Sequence, residues 1–274
     1  MTEPNDTENR PPEDPRLDHL GRPIPTEQPK SQLSRFLANV RTIATALFIA
    51  LVIRYTLFEN FLIEGPSMMP TLLDGDRVVV AKYPYGVTLP FMERAVFTWG
   101  APKLGDIVIL NRLFERGPTG DGSGIFGHGP DDIVKRVVGV AGDVIEVNDD
   151  IVSRNGAPIF VRNAGPCRYE YDVEQQDNCE LVEERVGEVT YRTSHDAVGG
   201  YPSNHEAVRI PEGHVFVLGD HRDHSRDSRI FGIVPVDTIK GRVVATYWSS
   251  SPRVDNGSAF LSNLRFARMF KSID

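Results

Sequence analysis

Between Arg41 and Arg54 the chain runs through twelve residues without a charge, Thr42 to Ile53 (TIATALFIALVI). A bilayer crossing needs about 20 mainly apolar residues, and Phe36 to Phe58 approaches that length if the two arginines sit near the interfaces and extend their charges outward. The segment reads as one membrane helix, with a buried amphipathic helix as the alternative. Arg54-Tyr55-Thr56-Leu57-Phe58 offers no small-x-small cleavage site, so an uncleaved anchor fits better than a removable leader. Arg22, Lys30, Arg35 and Arg41 precede the segment, whereas beyond it only Arg54 precedes Glu59, Glu64 and Asp74. That asymmetry predicts a cytoplasmic N-terminus and an outer region from about residue 59 onward.

Residues 1–35 carry Pro4, Pro11, Pro12, Pro15, Pro23, Pro25 and Pro29 and no Phe, Trp or Tyr. They cannot bury enough surface to offset the entropy of ordering and are expected to form a disordered cytoplasmic tail, ahead of an anchor at 36–58. In the outer region, 59–274, short β-branched runs recur: Arg77 to Ala81, Asp106 to Leu110, Ile133 to Val140, Val144 to Val147, Val208 to Ile210, Val215 to Leu218 and Arg242 to Trp248. No long helical period alternates with them, which predicts an antiparallel, mainly β or β-rich domain over a doubly wound sheet. The polar stretch 148–206 reads as an insertion or subdomain. With 38 acidic and 30 basic side chains the net charge is −8, the wrong sign for a protein that coats nucleic acid, so no nucleic-acid partner is expected. The two cysteines, Cys167 and Cys179, exclude a four-cysteine zinc site. An outer, oxidising location favours a bridge between them, against two reduced buried thiols.

Several motifs have competing explanations. Residues 122–127 match GxGxxG, but prolines at 118 and 130 and a following strand make this a loop rather than a dinucleotide turn. The run from Asp220 to Asp227 (DHRDHSRD) holds metal-ligand residue types, yet Arg222, Arg226 and Arg229 are interleaved, so a self-bonded loop is preferred and no metal is expected. Leu89 to Val96 and Phe97-Thr98-Trp99 are either core or an exposed surface at a bilayer interface. Phe260 to Ile273 mixes Arg265, Arg268 and Lys271 with apolar residues, as a basic amphipathic helix or a solvated terminal helix would.

Two features are sharper. Ser67 lies in the Gly/Pro-bounded loop Glu64-Gly65-Pro66-Ser67-Met68-Met69-Pro70, where a serine is ordinarily a cap or a solvated side chain. Lys135, by strand alternation, shares a face with Ile133 and Val137, while Arg136 points to the other. If that face is core, desolvation favours the neutral amine and can lower a lysine pKa by about 3 to 5 units, making a general base. Periodicity alone favours the alternative, a lysine that reaches the sheet edge.

Taken in order, a span, GPSMMPTL (Gly65 to Leu72), GDRVVVAK (Gly75 to Lys82), KRVVGVAGD (Lys135 to Asp143) and GDHRDHSRDSR (Gly219 to Arg229) resemble the bacterial type I signal peptidases, membrane-anchored serine proteases. The resemblance implies Ser67 as nucleophile and Lys135 as general base. It also implies support for this dyad from Asp220, Ser225, Asp227 and Arg229, and a nucleophile loop including Gly65, Pro66, Met68 and Pro70. It further implies two antiparallel β-sheets, no metal or cofactor, and residues 148–206 as the family's variable insertion, carrying Cys167 and Cys179. The implied partners are the lipid bilayer and the signal peptides of exported preproteins, with small residues, usually Ala, one and three positions before the cut. The implied location is the bacterial inner membrane, single-pass, with the catalytic domain in the periplasm.

Two positions depart from the family pattern. Gly65 stands where many relatives have a serine that helps bind the oxyanion, leaving backbone N–H groups, chiefly that of Ser67. His221 and His224 stand where asparagines are common, which predicts a change in activity below about pH 6.5. The remaining alternatives are a specialised Ser-Lys processing peptidase of pilin or conjugation type, and a non-catalytic membrane-tethered domain that binds envelope proteins.

Overall fold

The computed structural model describes residues 32–87, 97–111, 132–167, 179–196, 200–202, 204–251 and 263–273. The GxGxxG segment at 122–127, the apolar run at 89–96, residues 1–31 of the tail and residues 260–262 lie outside them.

Helix α1 spans Gln32–Leu57. It begins inside the stretch read as tail, because Gln32 to Arg35 follow Pro29 and contain nothing that breaks a helix. At 1.5 Å per residue its 26 residues extend about 39 Å, enough to cross the roughly 30 Å hydrocarbon layer. Leu33, Phe36, Leu37, Ile43, Leu47 and Phe48 are all exposed, and none of the window Gln32–Leu51 is buried. That removes the buried-helix alternative and fits a membrane anchor. Within the helix, the Thr42 and Thr45 hydroxyls donate to the Ala38 and Arg41 carbonyls at 2.9 and 2.8 Å, so neither polar group needs water.

Beyond α1 the described residues are built mainly from antiparallel strands. In chain order these are β1 (Phe58–Leu62), β2 (Asp76–Ala81), β3 (Gly86–Val87), β4 (Phe97–Thr98), β5 (Ile107–Asn111) and β6 (Asp132–Gly139). There follow β7 (Val144–Asn148), β8 (Ile151–Arg154), β9 (Ala157–Pro158), β10 (Phe160–Pro166), β11 (Cys179–Val186) and β12 (Val189–Asp196). The last are β13 (His205–Arg209), β14 (His214–Leu218), β15 (Val234–Pro235), β16 (Ile239–Ser249) and β17 (Lys271–Ser272). Hydrogen bonding groups them into an eight-stranded sheet, β1-β2-β16-β5-β6-β14-β15 with β17 on β16, and sheets of three (β10-β11-β12), four (β13-β7-β8-β9) and two strands (β3-β4). The fold is therefore mainly antiparallel β, as the short β-branched runs predict.

The long sheet is buried on both faces around β5 and β6. One cluster packs Phe61, Ile63, Met68, Leu72, Val78, Val80, Ile107, Ile109, Val134 and Val243. Another packs Val108, Leu110, Val137, Val215, Val217 and Val234. The continuous run of buried residues from Val134 to Gly139 follows, since a strand covered on both sides has no solvent face. Residues 148–206 supply β8 to β12, and β8 and β13 pair on either side of β7. A Cys167–Cys179 disulfide joins the end of β10 to the start of β11.

The β6–β7 turn is held by Asp143, whose carboxylate accepts from the Val140 N–H (3.1 Å), Arg154 Nε (2.8 Å) and the Asn155 side chain (2.9 Å). Desolvation pushes its pKa up, but these three donors outweigh it and hold it below the usual carboxylate range. A depressed folded-state pKa contributes stability above the unfolded value of about 3.9, lost as pH falls through the folded one. Asp143→Asn is accordingly expected to cost about 1 to 3 kcal/mol at neutral pH and to flatten the loss of stability below about pH 4. Denaturant midpoints measured across that range check it, and parallel acid limbs for the two proteins would contradict it.

Candidate active site

Ser67 sits in the turn between β1 and β2. The turn is anchored from beneath, because Met68 and Leu72 are fully buried in the first core cluster, leaving Ser67 partly exposed above them. Its backbone is tied by Met69 N–H to the Pro66 carbonyl and Leu72 N–H to the Met68 carbonyl, both at 2.9 Å. Gly65 has φ +84°, a conformation open chiefly to glycine, although no atom lies within 4 Å of where a Cβ would be. Pro66 is exposed and Pro70 partly so.

Lys135 lies in β6, opposite Val108 of β5. Its side chain does not reach the sheet edge: the residue is 3% exposed, and Nζ lies 3.0 Å from Ser67 Oγ and 2.9 Å from the Val134 carbonyl. Burial on both faces of β6 overrides the edge alternative. A hydroxyl and a buried amine are thus in hydrogen-bond contact, the arrangement needed to remove a proton as the oxygen attacks.

Arg136, directed away from Lys135, is equally buried. It donates through Nε and Nη2 to the two Asp220 oxygens at 2.8 and 2.7 Å, and through Nη1 to the Gly105 carbonyl at 3.0 Å. Its guanidinium lies 4.1 Å over the Tyr191 ring. Desolvation opposes the charge, yet Asp220 more than offsets it and holds the group above its ordinary range. Thr71 Oγ1 also donates to Asp220, so this carboxylate connects the Ser67 turn to β6.

The segment following β14 closes the site from one side. Asp227 accepts from the Gly219 N–H at 3.0 Å and from Arg229 Nε at 2.9 Å, and it caps helix α2 (Ser228–Phe231). Arg229 reaches back to the Arg222 and Ser225 carbonyls. The His221 N–H donates to the Ser67 carbonyl at 3.1 Å, placing the loop directly on the Ser67 peptide. Ser225 is buried, and its Oγ makes no hydrogen bond with a described residue.

A Cβ at Gly219 would approach the Ser67 carbonyl oxygen to 2.5 Å and collide with the Ser225 side chain. Gly219→Ala is therefore expected to displace the turn, costing about 1 to 3 kcal/mol and lowering activity more than tenfold. Melting temperature and turnover measured together check this; unchanged values for both would show that the contact yields freely.

Several supporting residues come from the polar stretch and carry no motif. Ser194 donates its N–H to the Asp220 carbonyl (2.9 Å) and its hydroxyl to the Met69 carbonyl (3.1 Å). Glu184 takes a two-pronged contact from buried Arg222 and a hydrogen bond from the Tyr191 hydroxyl at 2.8 Å. Asp196 faces both His221 and His224. Burial, opposed by Asp196, holds His221 below its ordinary range, which moves its protonation to lower pH. The C-terminal segment also differs from the helix expected. Arg268 reaches Asp76 and the Thr71 carbonyl, Arg265 reaches the Asp74 carbonyl, and β17 pairs with β16, so charge capture and strand pairing replace a free amphipathic helix. Phe97 and Trp99 are exposed rather than core.

Residues 36–248 match the family described as signal peptidase, peptidase S26. A signal peptidase I of Pseudomonas fluorescens is 31% identical over 217 residues, covering 75% of this chain and 70% of that protein. The signal peptidase I of Haemophilus influenzae is 29% identical over 281 residues, covering 90% of this chain and 77% of that protein. One from Bacillus caldolyticus is 30% identical over 203 residues, covering 74% and 86%.

Proposed function

The chain belongs to the signal peptidase family, peptidase S26, and from that premise we propose that it removes N-terminal signal peptides from exported preproteins, using Ser67 and Lys135 as a catalytic dyad. The observation that carries this reading is the 3.0 Å contact between Ser67 Oγ and the buried Lys135 Nζ. A serine hydroxyl is a weak nucleophile at neutral pH and needs an adjacent base, and burial disfavours the charged form of an amine.

In the proposed reaction, Ser67 Oγ attacks the scissile carbonyl carbon while Lys135 Nζ takes the hydroxyl proton. The oxyanion formed accepts hydrogen bonds from backbone N–H groups of the nucleophile turn, chiefly that of Ser67, since Gly65 has no side chain to give. Lys135 then returns the proton to the leaving amine as the C–N bond breaks, giving the mature protein and an acyl-enzyme. Water, deprotonated by Lys135, attacks the ester; the acyl C–Oγ bond breaks, Lys135 returns the proton to Ser67 Oγ, and the signal peptide leaves as a carboxylate.

The exposed apolar α1 supports tethering to the bilayer, with the N-terminus cytoplasmic by the positive-charge bias and the β-domain on the outer side. Anchoring confines enzyme and membrane-inserted substrate to one surface, raising their effective concentration. The substrates we expect carry small residues, usually Ala, one and three positions before the cut.

The test is a cleavage assay of the full chain in detergent against a precursor carrying Ala-x-Ala, with the cut located by mass spectrometry. Cleavage after the second Ala is the expected result. No cleavage across several exported precursors would overturn the proposal in favour of a specialised peptidase or a non-catalytic domain.

A further inference from the structure

Two of the arginines that argued against a metal in the Asp220–Asp227 run, Arg222 and Arg229, are engaged by other carboxylates. Arg222 turns to Glu184, with Nη1 2.6 Å from Oε1, and Arg229 turns to Asp227. Arg226 is exposed. With Arg222 and Arg229 so engaged, His221 and His224 are directed at one carboxylate. His221 Nε2 lies 3.1 Å from Asp196 Oδ1, His224 Nε2 lies 2.7 Å from Asp196 Oδ2, and the two rings are 4.4 Å apart between centroids. One potential donor atom from each residue lies within 4.8 Å of the others.

We propose that Asp196, His221 and His224 form a binding site for a divalent transition metal, zinc foremost, separate from the Ser67–Lys135 pair. Two imidazole nitrogens and one carboxylate oxygen are a donor set that zinc favours. Ligand atoms about 2.0 to 2.2 Å from a tetrahedral ion lie about 3.3 Å from one another, so a modest outward movement of the donors admits the ion. His224 can make that movement because its side chain is 46% exposed, and its open side gives water the fourth position. The other two ligands are held firmly: His221 is fully buried, and the Asp196 N–H donates to Asp223 Oδ2 at 2.7 Å. Asp223 also adds a second carboxylate close by, which favours a cation.

The consequence concerns the nucleophile. Asp196 ends β12, whereas His221 and His224 belong to the loop whose His221 N–H holds the Ser67 carbonyl. A metal joining them pins that loop to β12 and braces the turn carrying Ser67. Binding itself does not depend on the proposed peptidase activity, so the two can fail separately.

The experiment uses the untagged full chain in detergent, stripped with chelator, and titrated calorimetrically with Zn²⁺, with Co²⁺ as a spectroscopic probe. One equivalent should bind, Co²⁺ should give visible absorption of a low-coordinate nitrogen and oxygen site, and Zn²⁺ should raise the melting temperature. His224→Asn, at an exposed position that leaves the fold intact, should weaken binding at least tenfold and abolish the thermal shift. Absence of a stoichiometric site in the native chain, or equal affinity in His224→Asn, would overturn the proposal.

Discussion

Lys135→Met is expected to lower kcat/KM for precursor cleavage by about 10³-fold, and Ser67→Ala by at least as much. Methionine has nearly the length of lysine and suits a site that is 3% exposed between strands, so the fold should survive and only the base be lost. Lys135→Arg should fail as well, because a guanidinium stays protonated and cannot take the Ser67 proton. A double variant should lose no more than either single one, since the two groups act as one unit. Equal melting temperatures among the variants would separate chemistry from stability. Activity within tenfold of native in Lys135→Met would exclude the amine as the base and end the dyad reading.

The strands around the site were legible because β-branched runs between turn residues leave little other choice: Arg77 to Ala81, Asp106 to Leu110 and Val215 to Leu218 each fall within a residue of β2, β5 and β14. The Ser67–Lys135 contact was legible only through its motifs. Alternation puts Lys135 on one face, but whether that face is covered depends on Met68, Leu72 and the strands that pack above it, which no local pattern reveals. The supporting shell was the least legible. Glu184, Ser194 and Asp196 lie in a polar stretch where charge and hydroxyl content predict solvent exposure, yet Glu184 and Ser194 are buried because Arg222 and the Met69 carbonyl satisfy them. Arg222, read from sequence as repelling a cation, is instead consumed by Glu184. Pairings between residues distant in the chain are set by topology, and a sequence shows the charges without their partners.

Asp220→Ala should destabilise the protein by about 3 to 5 kcal/mol, the cost of leaving one member of a buried ion pair uncompensated. Arg136 is 1% exposed and cannot turn to water, and the remaining Gly105 carbonyl, Thr71 hydroxyl and Tyr191 ring satisfy only part of its charge. Adding Arg136→Met should recover most of the loss, because a well-packed apolar pair is commonly as stable as a buried ionic one. Denaturant midpoints for native, both single variants and the double variant give the coupling energy directly. The recovered double variant should nevertheless turn over more slowly than native. Asp220 receives Thr71 from the Ser67 turn and holds Arg136 of β6, so without it the turn and β6 lose a shared fixed point. Stability restored together with full turnover would show that the pair contributes only to folding, whereas stability restored with turnover still depressed would identify Asp220 and Arg136 as positioning residues for the dyad.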